Sequence, residues 1–388
     1  MRFLTRSRPG TILLAAAAAA SAAIAVPGTA SAAAGASPVV GHVYVNDNTA
    51  GTNTIGVFDR HADGALTPHA GSPFAAGGAG TGAGLASQGA LQISPDGRFL
   101  LAVDAGSSQI SVLRIKPGGS LKLVPGGVVS SGGVLPVSVA IHRALVYVAN
   151  AGTGGSNYTG FRLGRGGRLH PLAGSTVALP DGSQPGDVLF NSTGRKLVGA
   201  RIGTSQIDSF TVGSDGRLAP APASPFPAQG LGPFGSEFRP TNPRQLFVSN
   251  AHNGAGAGTV SAFRDSAHGT LTSIGSSPFA DNQTAPCWVE ITQDGRFLFT
   301  TNTASGTVSR YSIAPGGALR LLGSTPVRGT GAGVVDARLS PDGQFLYVDE
   351  IGTGAVAAFA VHGGNLTELA SSPASLPAGA TPAGIVAT

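Results

Sequence analysis

Cysteine is almost missing from this chain. The single Cys287 rules out an intramolecular disulfide, so a fold of 388 residues has to be held by its core. Cys287 stands beside Trp288 with no histidine close in sequence, which reads as a small buried hydrophobe rather than an activated nucleophile. Charge is scarce too, at 11% of residues. No clustered basic stripe is present, so a nucleic-acid partner is not expected. The eight histidines show neither H-x-H nor H-E-x-x-H spacing, which predicts no zinc site, and no D-x-D-x-D-G loop suggests calcium. No metal or organic cofactor is expected. G-x-S-x-G is absent, which argues against a serine hydrolase of the nucleophile-elbow type. No segment past the N-terminal region carries the 3.6-residue periodicity of a helix, so helical solenoids are excluded.

The N-terminal 32 residues read as a secretion signal. Arg2, Arg6 and Arg8 make a basic start, Ile12 to Val26 is a short apolar run, and Ala30-Ser31-Ala32 is a small-residue cleavage site. The apolar run is short for a membrane span. Removing these three arginines from 24 basic side chains leaves 21 against 19 acidic ones, so the mature chain is close to neutral. The expectation is a secreted protein, a single domain over residues 33–388 and a monomer, with no membrane span once the leader is removed.

Glycine and proline are what the sequence has in abundance, 60 and 27 residues. Unordered, such a composition would suggest disorder, but here they recur at regular places. Ile93 to Ile115 reads turn, strand, turn, strand: Ser94-Pro95-Asp96-Gly97 is a turn signal, followed by the apolar run Phe99–Val103, a polar Gly-containing turn at Asp104–Ser108, and a second strand from Gln109. The pattern returns at Ile291–Ile313 and Leu339–Val361. Degenerate copies precede Leu145–Asn150, Lys196–Val198 and Leu246–Asn250, which makes six units. A seventh begins at His42–Asp47 without a first strand. The missing strand stands at the other end, where Thr381–Thr388 resembles the segment that normally precedes S-P-D-G. Seven units of about 50 residues, the last strand completing the first unit, predict an all-β fold: a seven-bladed propeller of four-stranded antiparallel blades with no open edge. The stretch Ala75–Gly84 reads as a flexible loop.

The phrases S-P-D-G-R-F-L-x-V, G-T-V-S and G-x-L together resemble the lactonase family of seven-bladed propellers, 6-phosphogluconolactonase-like, and the related Y-V-T-N-type surface propellers. The resemblance spans nearly all of the mature chain. It implies a hydrolase or isomerase of small lactones that works without metal or organic cofactor. Where family enzymes place a Pro-His pair and a Pro-Arg-His-like triplet before inner strands, this chain has Ser87-Gln88-Gly89-Ala90-Leu91 and Gly333–Arg338.

In a propeller the first strand of each blade borders a central channel. The charged residues on those strands are Asp187, Glu237, Glu290, Asp336 and Arg338, with Gln92 beside them. Carboxylates gathered near an axis raise one another's pKa, which suits general acid–base work, and an arginine can stabilise an oxyanion. Asp187, Glu237, Glu290 and Arg338 are therefore the catalytic candidates. Gln92, Arg201, Trp288, Asp336 and Glu350 are the ligand-binding candidates. A second ring, Asp47, Asp104, Asn150, Arg201, Asn250, Asn302 and Glu350, recurs at one repeat position and reads as the start of hairpin turns, where Asx side chains bond the backbone. Arg201 and Glu350 cannot form Asx turns, which marks them for function.

Two readings remain open from sequence. One is an exported lactonase-like enzyme acting on a lactone or sugar-like ligand. The other is a non-catalytic extracellular propeller that binds a ligand, a glycan or a protein partner.

Overall fold

The repeated turn has a simple local cause. In the computed structural model, which describes residues 37–329 and 333–388, Gly97, Gly194, Gly295 and Gly343 sit at φ between 66° and 70°. That left-handed region suits glycine. The turn's first side chain closes it: Ser94 Oγ donates to Asp96 (2.6 Å) and accepts the Phe99 N–H (2.9 Å). Thr292 with Asp294 and Ser340 with Asp342 repeat the device. The predicted leader, residues 1–32, lies outside the described residues.

Seven antiparallel sheets follow one another. Blades 2 to 7 have inner strands Leu91–Ile93, Pro136–His142, Pro185–Phe190, Pro233–Arg239, Pro286–Ile291 and Val334–Leu339. Each inner strand pairs with a second strand that is buried along most of its length, as at Phe99–Asp104, Leu145–Asn150 and Phe345–Glu350. These second strands are covered on both faces because blades pack on either side, which explains their uninterrupted apolar runs.

The outer strand is continuous in blades 2 and 6 and broken in the other five. In blade 1 it runs as Leu66–Pro68 and Phe74–Ala75, both paired with Thr54–His61. Blade 3 has Ser175-Thr176 at the interruption; in the other four it is the recurring Ser-Pro phrase. Its serine hydroxyl takes the third-strand N–H that the ladder leaves free: Ser72 for Val57, Ser224 for Ser209, Ser277 for Ala262 and Ser372 for Ala358. Buried backbone donors are thereby satisfied where the strand is absent.

The ring closes as the sequence predicts. Ile385–Ala387 pairs with Val43–Val45 as the inner strand of blade 1. Flanking bonds from Asn46 N to Gly384 O and from Thr388 N to His42 O extend the join. Neighbouring blades are stitched through second strands: the hydroxyls of Tyr44, Tyr147 and Tyr347 donate to the carbonyls of Gly119, Gly216 and Gly64 in the next blade.

One expectation is corrected. Ala75–Gly84 is an ordered, closely packed segment. Gly80 N bonds Thr49 O, Ala79 N bonds Ser107 Oγ, and Asn48 Nδ2 bonds Thr81 and Ala83. A Cβ on Gly78 would meet Asp104 at 2.4 Å, and one on Gly80 the Asn48 backbone at 2.3 Å. These glycines permit close approach; composition alone suggested looseness.

Candidate active site in the central channel

Strand register fixes which residues share a level in the channel. Glu237, Glu290 and Arg338 lie opposite Phe247, Phe299 and Tyr347 on their second strands, the same position in blades 5, 6 and 7. At this level blade 1 contributes Val386, blade 2 Gln92 and blade 3 Ala140. Three consecutive blades thus place Glu, Glu and Arg side by side. Two residues earlier along the strands stand Asp187 in blade 4, Trp288 in blade 6 and Asp336 in blade 7.

Gln88 divides the channel. From the approach to the inner strand of blade 2 its side chain reaches the opposite wall. There its Nε2 donates to Ser236 O (2.9 Å) and Val289 O (3.3 Å), and its Oε1 accepts the Val289 N–H (2.9 Å). A Cβ on Gly235 would lie 2.0 Å from Gln88 Oε1, so blade 5 carries glycine there. Around the inner-strand starts is an apolar cavity of about 430 Å³, bordered by Leu85, Leu135, Pro185, Ile202 and Phe234. Towards the strand ends lies a polar chamber of about 330 Å³, bordered by Glu237, Glu290, Gln293, Arg338 and Ser340. A smaller space of about 110 Å³ adjoins it, sharing Glu237 and Arg338 and adding Gln92 and Asp187. The largest of these four concavities, about 1220 Å³, is an outer-surface groove along blades 3 to 5. It lies away from the channel carboxylates, and three of its cations are tied to backbone carbonyls: Lys196 to Ala267, Arg162 to Asp215 and Arg244 to Asp265.

The polar chamber separates its two glutamates by environment. Glu290 Oε1 accepts the Leu339 N–H (3.0 Å) and its Oε2 is 3.4 Å from Arg338 Nη1. Burial pushes its pKa up, while Arg338 and the N–H pull towards the ionised form. Glu237 has no hydrogen-bond partner among the described residues. Burial, then the neighbouring Glu290 charge, push it up to about 8, against the pull of Arg338. Arg338 is held protonated, first by Glu290, and its side chain is still 27% exposed to the chamber. Glu290 is thus held by a guanidinium and a backbone N–H, while Glu237 lines the same chamber unbonded, its carboxyl pushed towards the neutral form.

Asp187 and Asp336 are brought near but are occupied. Asp187 accepts both the N–H and the hydroxyl of Ser236, and burial raises its pKa to about 7. Asp336 accepts the Gly89 N–H (3.4 Å), and burial raises it likewise to about 7.

The sequence matches the family profile described as lactonase, 7-bladed beta-propeller, over residues 41–181 and 237–383. This chain belongs to that lactonase family. Similar solved structures include a 6-phosphogluconolactonase candidate from Bacteroides uniformis (19% identity, 90% of this chain and 100% of that one, TM-score 0.73). The periplasmic gluconolactonase of Pseudomonas aeruginosa is another, at 18% identity, 90% and 99% coverage and TM-score 0.71. A Lactobacillus plantarum protein matches at 18% identity, 90% and 99% coverage and TM-score 0.72. No curated protein matches the sequence. At these identities the likeness in structure concerns the fold.

In this lactonase-family propeller the remaining sequence candidates lie apart from the chamber. Arg201 makes a bidentate pair with Asp208, both contacts 2.6 Å, and Tyr158 donates to the same carboxylate. Glu350 is fully buried and accepts from Thr353. Trp288 is buried against Phe234, ring centroids 5.2 Å apart, with its Nε1 unbonded. Cys287 is buried as expected, which pushes its thiol up to about 11.

The second polar ring is bonded within its blades, by a different route from the Asx turns expected. Six of its seven members bond side chains of the third strand: Asp47 with Thr54, Asp104 with Ser111, Asn150 with Asn157, Arg201 with Asp208, Asn302 with Ser309 and, eleven residues on, Asn250 with Ser261; Glu350 bonds Thr353 in the turn. Gln88 is the channel residue that sequence reasoning passed over. Only the path of the 87–90 segment across the axis reveals it.

Proposed function

We propose that the protein hydrolyses a small lactone in the polar chamber, with Glu290 as general base, Glu237 as general acid and Arg338 as oxyanion stabiliser. The observation that carries this reading is the Glu–Glu–Arg set at one register position in three consecutive blades. Family membership supports the reaction class, and the chamber volume is at the small end of ligand pockets.

Glu290 takes a proton from water as the oxygen bonds to the lactone carbonyl carbon. Arg338 faces the charge that develops on the carbonyl oxygen. When the intermediate collapses, the ring C–O bond breaks and Glu237 gives its proton to the departing alkoxide. The product is an open hydroxy acid, and proton exchange with solvent resets both glutamates. Gln92, in the adjoining space, offers an amide to orient a hydroxylated ring. Asp187 adds to the push that keeps Glu237 protonated, and Asp336 and Asp187 both help to keep Arg338 charged.

A pH-indicator screen against sugar and aromatic lactones tests this. Turnover that Glu290→Gln abolishes supports the assignment; wild-type turnover in that variant contradicts it. We propose also that the chain is exported through residues 1–32 and meets its substrate outside the cytosol. N-terminal sequencing of the mature protein, with a start near Ala33, checks that.

A further inference from the structure

Away from the channel, strand pairing in blade 1 gathers three side chains that the linear sequence keeps apart. His42 on Val39–Asn46 lies opposite Asp59 on Thr54–His61. His69 follows directly on Leu66–Pro68, which pairs with the same third strand. His42 Nε2 is 3.4 Å from Asp59 Oδ1, and His69 Nδ1 is 2.6 Å from the same oxygen. The two imidazoles stand edge to face with centroids 5.5 Å apart. One donor atom from each residue lies within 4.8 Å of the others.

We propose that His42, Asp59 and His69 form a binding site for a divalent transition-metal ion of the zinc class. A tetrahedral ion with ligands at roughly 2.0–2.1 Å needs donor atoms a little over 3 Å apart. The His42–Asp59 spacing fits as it stands, and the His69–Asp59 pair has to open by a fraction of an ångström. Two imidazoles and a carboxylate suit zinc, nickel or copper better than magnesium or calcium. Three protein ligands leave a fourth position for water.

The surroundings support a built site. His69 Nε2 is 3.2 Å from Ser120 Oγ of the neighbouring blade, an outer contact that aims its Nδ1 at Asp59. His42 packs on Gly119, where a Cβ would lie 2.2 Å from the ring, so blade 2 leaves it no other place. The side chains remain 16%, 26% and 10% exposed, so an ion can enter from solvent. The absence of H-x-H spacing concealed this, because the ligands come from two strands and from the residue that follows a third.

The test uses untagged, chelator-treated protein titrated with cobalt(II), then zinc. One equivalent of cobalt should give visible ligand-field bands of tetrahedral intensity, displaced by zinc. Zinc should also raise the melting temperature. His42→Ala and His69→Gln should each weaken binding by at least about tenfold, while His252→Ala should bind as wild type. No bands and no thermal shift in the wild type would overturn the proposal. So would wild-type affinity in the His42→Ala/His69→Gln double variant. The wild-type titration decides the matter even if a variant fails to fold, and it is read without lactone turnover.

Discussion

Glu237 and Glu290 occupy equivalent positions in adjacent blades, and what differs is their company. Glu290 has a guanidinium and a backbone N–H; Glu237 has neither bonded to it. Glu237→Gln should keep the fold and lower kcat/KM by about a hundredfold, the usual worth of a general acid. Thermal melts alongside lactone kinetics check both halves. With the Glu237 pKa near 8, the acid is protonated below that value and lost above it. Activity should therefore fall as pH rises through about 8, and Glu237→Gln should remove that limb of the profile. Arg338→Lys should cost more than a change of charge would, because a point ammonium cannot replace the planar fork beside Glu290.

Among the elements, the hairpin between third and outer strands carries an inter-blade fit. Gly64, Gly167 and Gly364 each receive the first phenylalanine of the preceding blade's second strand: Phe345, Phe99 and Phe297. A Cβ would stand 2.2–2.4 Å from those rings. Gly167 also sits at φ 90°. Gly167→Ala should therefore destabilise by roughly 1–3 kcal/mol, read as a lower urea midpoint. The G-x-L phrase was visible in the sequence as a repeat mark; the packing that demands it was not. The same holds elsewhere. S-P-D-G turns and apolar second strands are local, so the blades were legible. Glu290 and Arg338 were legible because each stands five residues before a turn glycine, and Glu237 as a charge on the inner strand of blade 5, whose turn Thr241-Asn242-Pro243-Arg244 has no glycine. Gln88, the His42–Asp59–His69 group and the Arg201–Asp208 pair were not, because each depends on register or on a crossing between segments distant in sequence. Arg201 drew attention by breaking the Asx pattern, and its partner Asp208 shows that the break is a swap of one structural pair for another.

At the scale of the whole ring, two consequences follow from closure and from buried acids. Removing Thr381–Thr388 opens blade 1 and exposes the edge at Val43–Val45. The melting temperature should drop sharply; an unchanged value would mean that the closing strand contributes little. Burial raises Asp47, Asp187 and Asp336 to about 7 and Asp265 and Asp281 to about 6. From the ordinary carboxylate value near 4 up to 7 the folded state holds more protons than the unfolded chain. Stability must then decline as pH rises through that window. A higher melting temperature at pH 5 than at pH 8 is expected, and Asp187→Asn should flatten the difference.

The most direct test of the channel assignment is lactone hydrolysis by the wild type, Glu237→Gln and Glu290→Gln, each with its melting curve. The account predicts turnover of a small lactone in the wild type and its loss in both folded variants. Turnover undiminished in either variant would contradict it, as would a wild type that leaves every sugar and aromatic lactone of the panel intact.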